Sequence, residues 1–177
     1  MKYIALLRGI NVSGQKLIKM EALRKALEQL PFTNVSTYIQ SGNILFESEE
    51  QNIGALQQLI STSIKDNFNF DVATIVITPR CLQSIIENRP IDSTADPAQP
   101  YVAFLSDIPA QSDSLAFMNA DFGGDTFLMQ GRHMYIYYAN SAGKTKLTNA
   151  VIEKKLKARS TARNWKTVKA LFELAQQ

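Results

Sequence analysis

The chain has 177 residues, 45% hydrophobic and 20% charged, with a formal net charge of +3. That length and composition describe a globular protein with enough apolar residues for a sizeable core, and they exclude a chain that is disordered throughout. A single cysteine, Cys81, excludes an internal disulfide, and with one histidine, His133, it excludes a conventional zinc site. No metal and no cofactor are therefore expected.

The opening residues Met1 to Arg8 carry an apolar run too short for a signal-peptide core, and no stretch approaches the length needed to span a bilayer. A cytoplasmic location and no membrane partner are the expectation. Charge is uneven. From Lys144 onward nine Lys or Arg face Glu153 and Glu173, whereas residues 1–143 carry ten Lys or Arg and fourteen Asp or Glu. A basic C-terminal segment of this kind fits either a phosphate-bearing partner or the solvated outer faces of helices.

In chain order, Lys2 to Arg8 places apolar side chains on both alternating faces, which predicts a central strand covered on both sides. The polar stretch Arg8-Gly9-Ile10-Asn11-Val12-Ser13-Gly14-Gln15-Lys16 follows it. Met20, Leu23, Leu27 and Leu30 then form a helical stripe ended by Pro31. Asn34 to Gln40 and Asn43 to Ser48 predict a hairpin with Ser41-Gly42 as a two-residue turn. Ile53, Leu56, Ile60, Ile64 and Phe68 predict a second helix, and Val72 to Thr78 a further strand.

Thr78-Pro79 reads as the start of a short helix carrying Leu82, Ile85 and Ile86, and Arg89 to Pro100 as a linker. Tyr101 to Ser106 then repeats the first strand in kind. A helix over Leu115 to Asn119, strands Thr126–Gln130 and His133–Tyr138 around a Gly131-Arg132 turn, and another helix follow. A last helix from about Trp165 presents Val168, Leu171, Phe172 and Ala175 on one face.

The first half reads βαββαβ and the second βαββα. The fold expected is thus α+β: duplicated ferredoxin-like (split βαβ) halves with antiparallel sheets and extra C-terminal helices. The halves are placed at residues 1–88, with a linking helix, and 89–177, packed as one unit.

Candidate chemistry concentrates in two places. Gly9-x4-Gly14 directly follows a strand, but Lys16 falls one position late for a P-loop and no Ser or Thr follows in register. The glycines still allow backbone N–H groups to turn inward around an anion, with Arg8 and Lys16 adding charge and Asn11 an orienting amide. Near the C-terminus, Lys146-Leu147-Thr148-Asn149 and Thr161-Ala162-Arg163-Asn164-Trp165 each read as a helix start. Capping explains Thr148, Asn149, Thr161 and Asn164 but does not require Lys146 or Arg163. The candidate ligand-binding set is Arg8, Gly9, Asn11, Gly14, Lys16, Lys146, Asn149 and Arg163. His133 reads as a mid-strand packing residue beside Tyr135 and Tyr137.

The blocks Tyr3 to Val12, Lys19-Met20 with Leu23, Thr37 to Asn43, Lys146 to Asn149, Thr161 and Arg163-Asn164-Trp165 together resemble a bacterial family known as domain of unknown function 1697. Ser13 stands where that family often has a second glycine. The resemblance implies a duplicated ferredoxin-like fold and assigns no activity. Three functional readings stand side by side. The first is a small anionic ligand, of phosphate or nucleotide type, at the Arg8–Lys16 loop. The second is a nucleic-acid-binding module using the basic C-terminal segment, with His133, Tyr135 and Tyr137 on one strand face. The third is a non-enzymatic protein-interaction domain.

Overall fold

The computed structural model describes residues 1–90 and 100–177. Most of the expected linker Arg89–Pro100 lies outside the described residues. By its internal contacts the chain divides into two compact units, Met1–Asn88 with Lys169–Gln177, and Arg89–Val168. The last turns of the C-terminal helix, which the sequence reading placed with the second half, thus group with the first.

The first unit runs β1 (Lys2–Leu7), α1 (Met20–Leu27), β2 (Thr33–Tyr38), β3 (Asn43–Glu47), α2 (Ile53–Phe68), β4 (Thr74–Ile77) and α3 (Pro79–Glu87). Its sheet has the order β2-β3-β1-β4, with every neighbouring pair antiparallel, which is the split-βαβ arrangement. β1 is central, and Tyr3 to Leu7 are all buried. Tyr3, Ala5 and Leu7 join the core beneath α1 and α2, together with Leu23, Leu27, Leu56 and Ile60. α3 lies against β1 as well. Two covered faces explain why this strand shows no hydrophobic alternation. α1 stops at Leu27, one turn before Pro31, and Leu30 packs on the core from outside the helix.

The second unit repeats the order with β5 (Tyr101–Leu105), α4 (Gln111–Met118), β6 (Thr126–Gln130), β7 (His133–Tyr137), α5 (Asn149–Leu156) and β8 (Ser160–Asn164). Its sheet order is β6-β7-β5-β8, again antiparallel. α6 (Trp165–Gln176) follows directly. The second half is therefore a complete βαββαβ. The stretch expected to open the last helix is instead strand β8, in register with β5 from Tyr101↔Asn164 to Leu105↔Ser160.

The duplication extends to single hydrogen bonds. The Leu7 N–H donates to Gly42 O at 2.8 Å and the Leu105 N–H to Arg132 O at 2.8 Å. One residue on, the Arg8 N–H donates to Ala73 O and the Ser106 N–H to Arg159 O. α2 and α5 both end on a left-handed residue, Asn69 (φ 57) and Lys157 (φ 54). No helix among the described residues is long and apolar enough to cross a membrane.

Candidate functional site: the loop after β1

Three connections meet at the C-terminal end of β1: the loop of residues 8–19, the β2–β3 link, and the α2–β4 connection. The β2–β3 link is four residues, 39–42, closed by the Tyr38↔Asn43 pair, rather than the two-residue turn expected. Gly42 is required there twice over. Its φ is +78, and a Cβ would lie 2.7 Å from Leu7 Cβ and 2.9 Å from Ile10 Cδ1.

The loop is anchored by buried Ile10 and Ile18, and between them it forms a miniature hairpin. The Asn11 N–H donates to Lys16 O at 3.2 Å and the Gln15 N–H to Val12 O at 2.9 Å, with Ser13 (φ 51) and Gly14 (φ 74) at its tip. Two consecutive positive φ angles are the sign pattern of a type I′ turn. Gly9, Asn11 and Ser13 have positive φ while Ile10 and Val12 do not, so the sign alternates over five residues. Alternation of this kind turns successive N–H groups toward one side.

Asn11 is the fastener. Its Nδ2 donates to Ile18 O at 3.0 Å and to Gln40 O at 3.0 Å, and its Oδ1 accepts from the Ile18 N–H at 2.8 Å. The amide read from sequence as orienting a ligand thus ties the loop to itself and to the β2–β3 link. Lys16 Nζ donates to the carbonyl of Asp71 in the α2–β4 connection, whose carboxylate takes Lys65 at 3.0 Å. An ammonium has three donors, so Lys16 keeps two for other partners. Arg8 is half-buried at the loop's base. Gly9 and Gly14 are exposed, with open space where a Cβ would stand. Arg8, Gly9, Asn11, Gly14 and Lys16 are therefore held within one small region.

Lys146, Asn149 and Arg163 belong to the second unit and do not form one cluster there. Thr148 is the N-cap of α5, its hydroxyl accepting from the Val151 N–H at 3.3 Å. Asn149 Oδ1 accepts from Ser160 Oγ at 2.9 Å on the core side of β8. The exposed Lys146 lays its stem near Gly123, whose Cβ would meet it at 3.4 Å. Arg163 and Thr161 point to the opposite face of β8. This corrects their reading as helix-start residues, and Asn164 alone caps α6, accepting from the Thr167 N–H at 2.8 Å.

Arg163 is 6% exposed, and its Nη1 donates to Thr161 Oγ1 at 2.8 Å and Ala162 O at 2.9 Å. Burial pushes its guanidinium down to about 10, so it stays charged at neutral pH. Sequence reasoning missed β8 because its five residues are nearly all polar. The duplication held the signal, since the first half places a strand after its second helix.

His133 is the first residue of β7 rather than mid-strand, edge-on to Tyr135 at 5.3 Å. Tyr135 is fully buried and Tyr137 donates to Pro90 O at 3.1 Å, so this strand face is not an open surface for stacking bases. At the opposite end of β1 from the loop, a cleft of ≈ 390 Å³ is lined by Lys2, Asn34, Ser36, Glu47 and Gln177, with both charge signs.

A solved structure, "The structure of conserved bacterial protein SP0830 from Streptococcus pneumoniae", is 23% identical and covers 99% of this chain and 98% of that one, with a TM-score of 0.77. At that identity the likeness is one of fold. A comparison with curated proteins finds no match. The family described as "Protein of unknown function (DUF1697)" matches residues 1–135, a range that contains the whole Arg8–Lys16 loop and stops before Lys146, Asn149 and Arg163. With well over half of its length matched, the chain belongs to the DUF1697 family.

Proposed function

We propose that the Arg8–Lys16 loop binds a small anion of phosphate type. The observation that carries this reading is internal to the chain. The second unit joins its equivalent strand and helix, β5 and α4, with residues 106–110, whereas the first unit spends residues 8–19 on the same connection. The fold can thus be closed by a connection less than half as long.

The longer loop is also strained. Asn11, Ser13 and Lys16 hold positive φ in its span and Ile39 does so beside it, and such strain gathers where structure serves binding. Alternating φ from Gly9 to Ser13 favours an N–H concavity, and Lys16 and Arg8 supply positive charge beside it.

Thermal unfolding in inorganic phosphate and pyrophosphate at constant ionic strength tests the reading. Ligand that binds only the folded chain raises the melting temperature with concentration. Arg8→Ala and Gly14→Val should remove that rise, while Arg132→Ala, in the β6–β7 turn of the second unit, should keep it. No rise up to about 10 mM of either anion, a concentration that still detects affinities of order mM, would refute the proposal.

A further inference from the structure

Three of the exposed large apolar side chains stand around this loop. Val12, Leu17 and Ile39 are 56%, 67% and 49% exposed. Val12 follows Asn11, Leu17 follows Lys16, whose carbonyl takes the Asn11 N–H, and Ile39 precedes Gln40, whose carbonyl takes Asn11 Nδ2. All three thus adjoin Asn11 or a residue bonded to it.

Ile39 holds φ 51, a conformation that β-branched residues rarely adopt. Half its side chain nevertheless stays in water, so burial does not account for the strain. A glycine or asparagine would meet the backbone requirement at lower cost, which makes the apolar side chain itself the feature to explain. Three side chains fall far short of the roughly 20–30 residues a side of a stable protein interface. That scale suits a small ligand rather than a protein partner.

Resting on the anion reading above, we propose that the loop's ligand is a nucleoside phosphate. Its phosphates would face the backbone N–H groups between Gly9 and Gly14 other than that of Asn11, which Lys16 O holds, and its base would lie against Val12, Leu17 and Ile39. The apolar rim then sets the ligand class and the loop backbone holds the charge.

Calorimetric titration of the full chain with pyrophosphate and with ADP, GDP, UDP and CDP tests this. At least one nucleoside diphosphate should bind about tenfold or more tightly than pyrophosphate, the scale of burying one ring face. Ile39→Gly and Ile39→Asn both suit a positive φ, so each should melt no lower than the parent chain. Each should bring nucleotide affinity down toward that of pyrophosphate and leave pyrophosphate binding unchanged; Leu17→Ser should do the same.

If pyrophosphate and all four nucleotides bind equally, the ring contact is wrong and the anion reading survives. If none binds, both fall. If Ile39→Asn abolishes concentration-dependent self-association instead, the apolar rim is a contact between copies and the proposal is overturned.

Discussion

Replacing Asn11 with Ala separates a loop held by its own side chain from one held by its ends. The substitution removes two half-buried hydrogen bonds to Ile18, one given and one received, and a third to Gln40 O at the solvent-exposed edge. At about 1 kcal/mol for each inner bond and about half that for the exposed one, the loss is roughly 2.5 kcal/mol. Ala also tolerates φ 54 less well than Asn, adding up to about 1 kcal/mol. The total is roughly 3 kcal/mol, equivalent to a fall in melting temperature of about 6–12 °C.

Urea unfolding should show this as a lower midpoint with an unchanged slope, since the exposed area hardly alters. Asn11→Gly should recover only the backbone part, roughly 1 kcal/mol. Asn11→Asp should be at least as damaging as Ala, because it turns an acceptor toward the carbonyls of Ile18 and Gln40. A loss below about 1 kcal/mol for Asn11→Ala would show that these bonds are replaced by water at no net cost, and would refute the assignment of Asn11 as the fastener.

Two further substitutions test neighbouring parts of the same reasoning. Gly42→Ala should cost about 3 kcal/mol or more, because a Cβ there meets Leu7 and Ile10 as well as the wrong φ, whereas Gly9→Ala should cost only about 1 kcal/mol, having open space around it; equal losses in urea unfolding would contradict the close approach. Burial holds the His133 imidazole below its ordinary 6.5, so as pH falls through that value the unfolded chain takes up a proton that the folded chain does not. Stability is then full above about 6.5 and falls toward the lower folded value; His133→Gln should flatten the slope of stability against pH in that window, and an unchanged slope would assign it to other groups.

The fold was largely legible because its main signals are local or repeated. β1 shows two apolar faces, α1 and α2 show apolar stripes, and the strand Tyr101–Leu105 echoes Tyr3–Leu7. β8 was illegible because its strand character comes from pairing with β5, not from its own side chains: Ser160, Thr161 and Arg163 are buried polar residues that no hydrophobic pattern announces. Arg163 shows the same limit. An arginine beside Asn164-Trp165 reads as a helix-start cation until pairing puts it inside a sheet. The fastening role of Asn11 was not legible, since its spacing to Ile18 and Gln40 exists only once the loop has folded back.

The two units together supply a comparison that neither gives alone. They share topology, backbone hydrogen bonds at the ends of β1 and β5, and left-handed ends on α2 and α5. Features common to both are explained by closing a βαββαβ sheet. Features in only one need a further cause, and the loop after β1 is the clearest of these. Ile10 and Ile18 account for its anchoring, and Asn11 accounts for its shape. Neither accounts for Ser13 and Gly14 at an exposed tip, or for Ile39 strained and half in water beside it. Folding alone favours relieving such strain, so Ile39→Gly that stabilised the chain without changing any binding would leave Ile39 with no role to select for it. Stabilisation accompanied by weaker nucleotide binding is the outcome expected if the proposed ring contact is right.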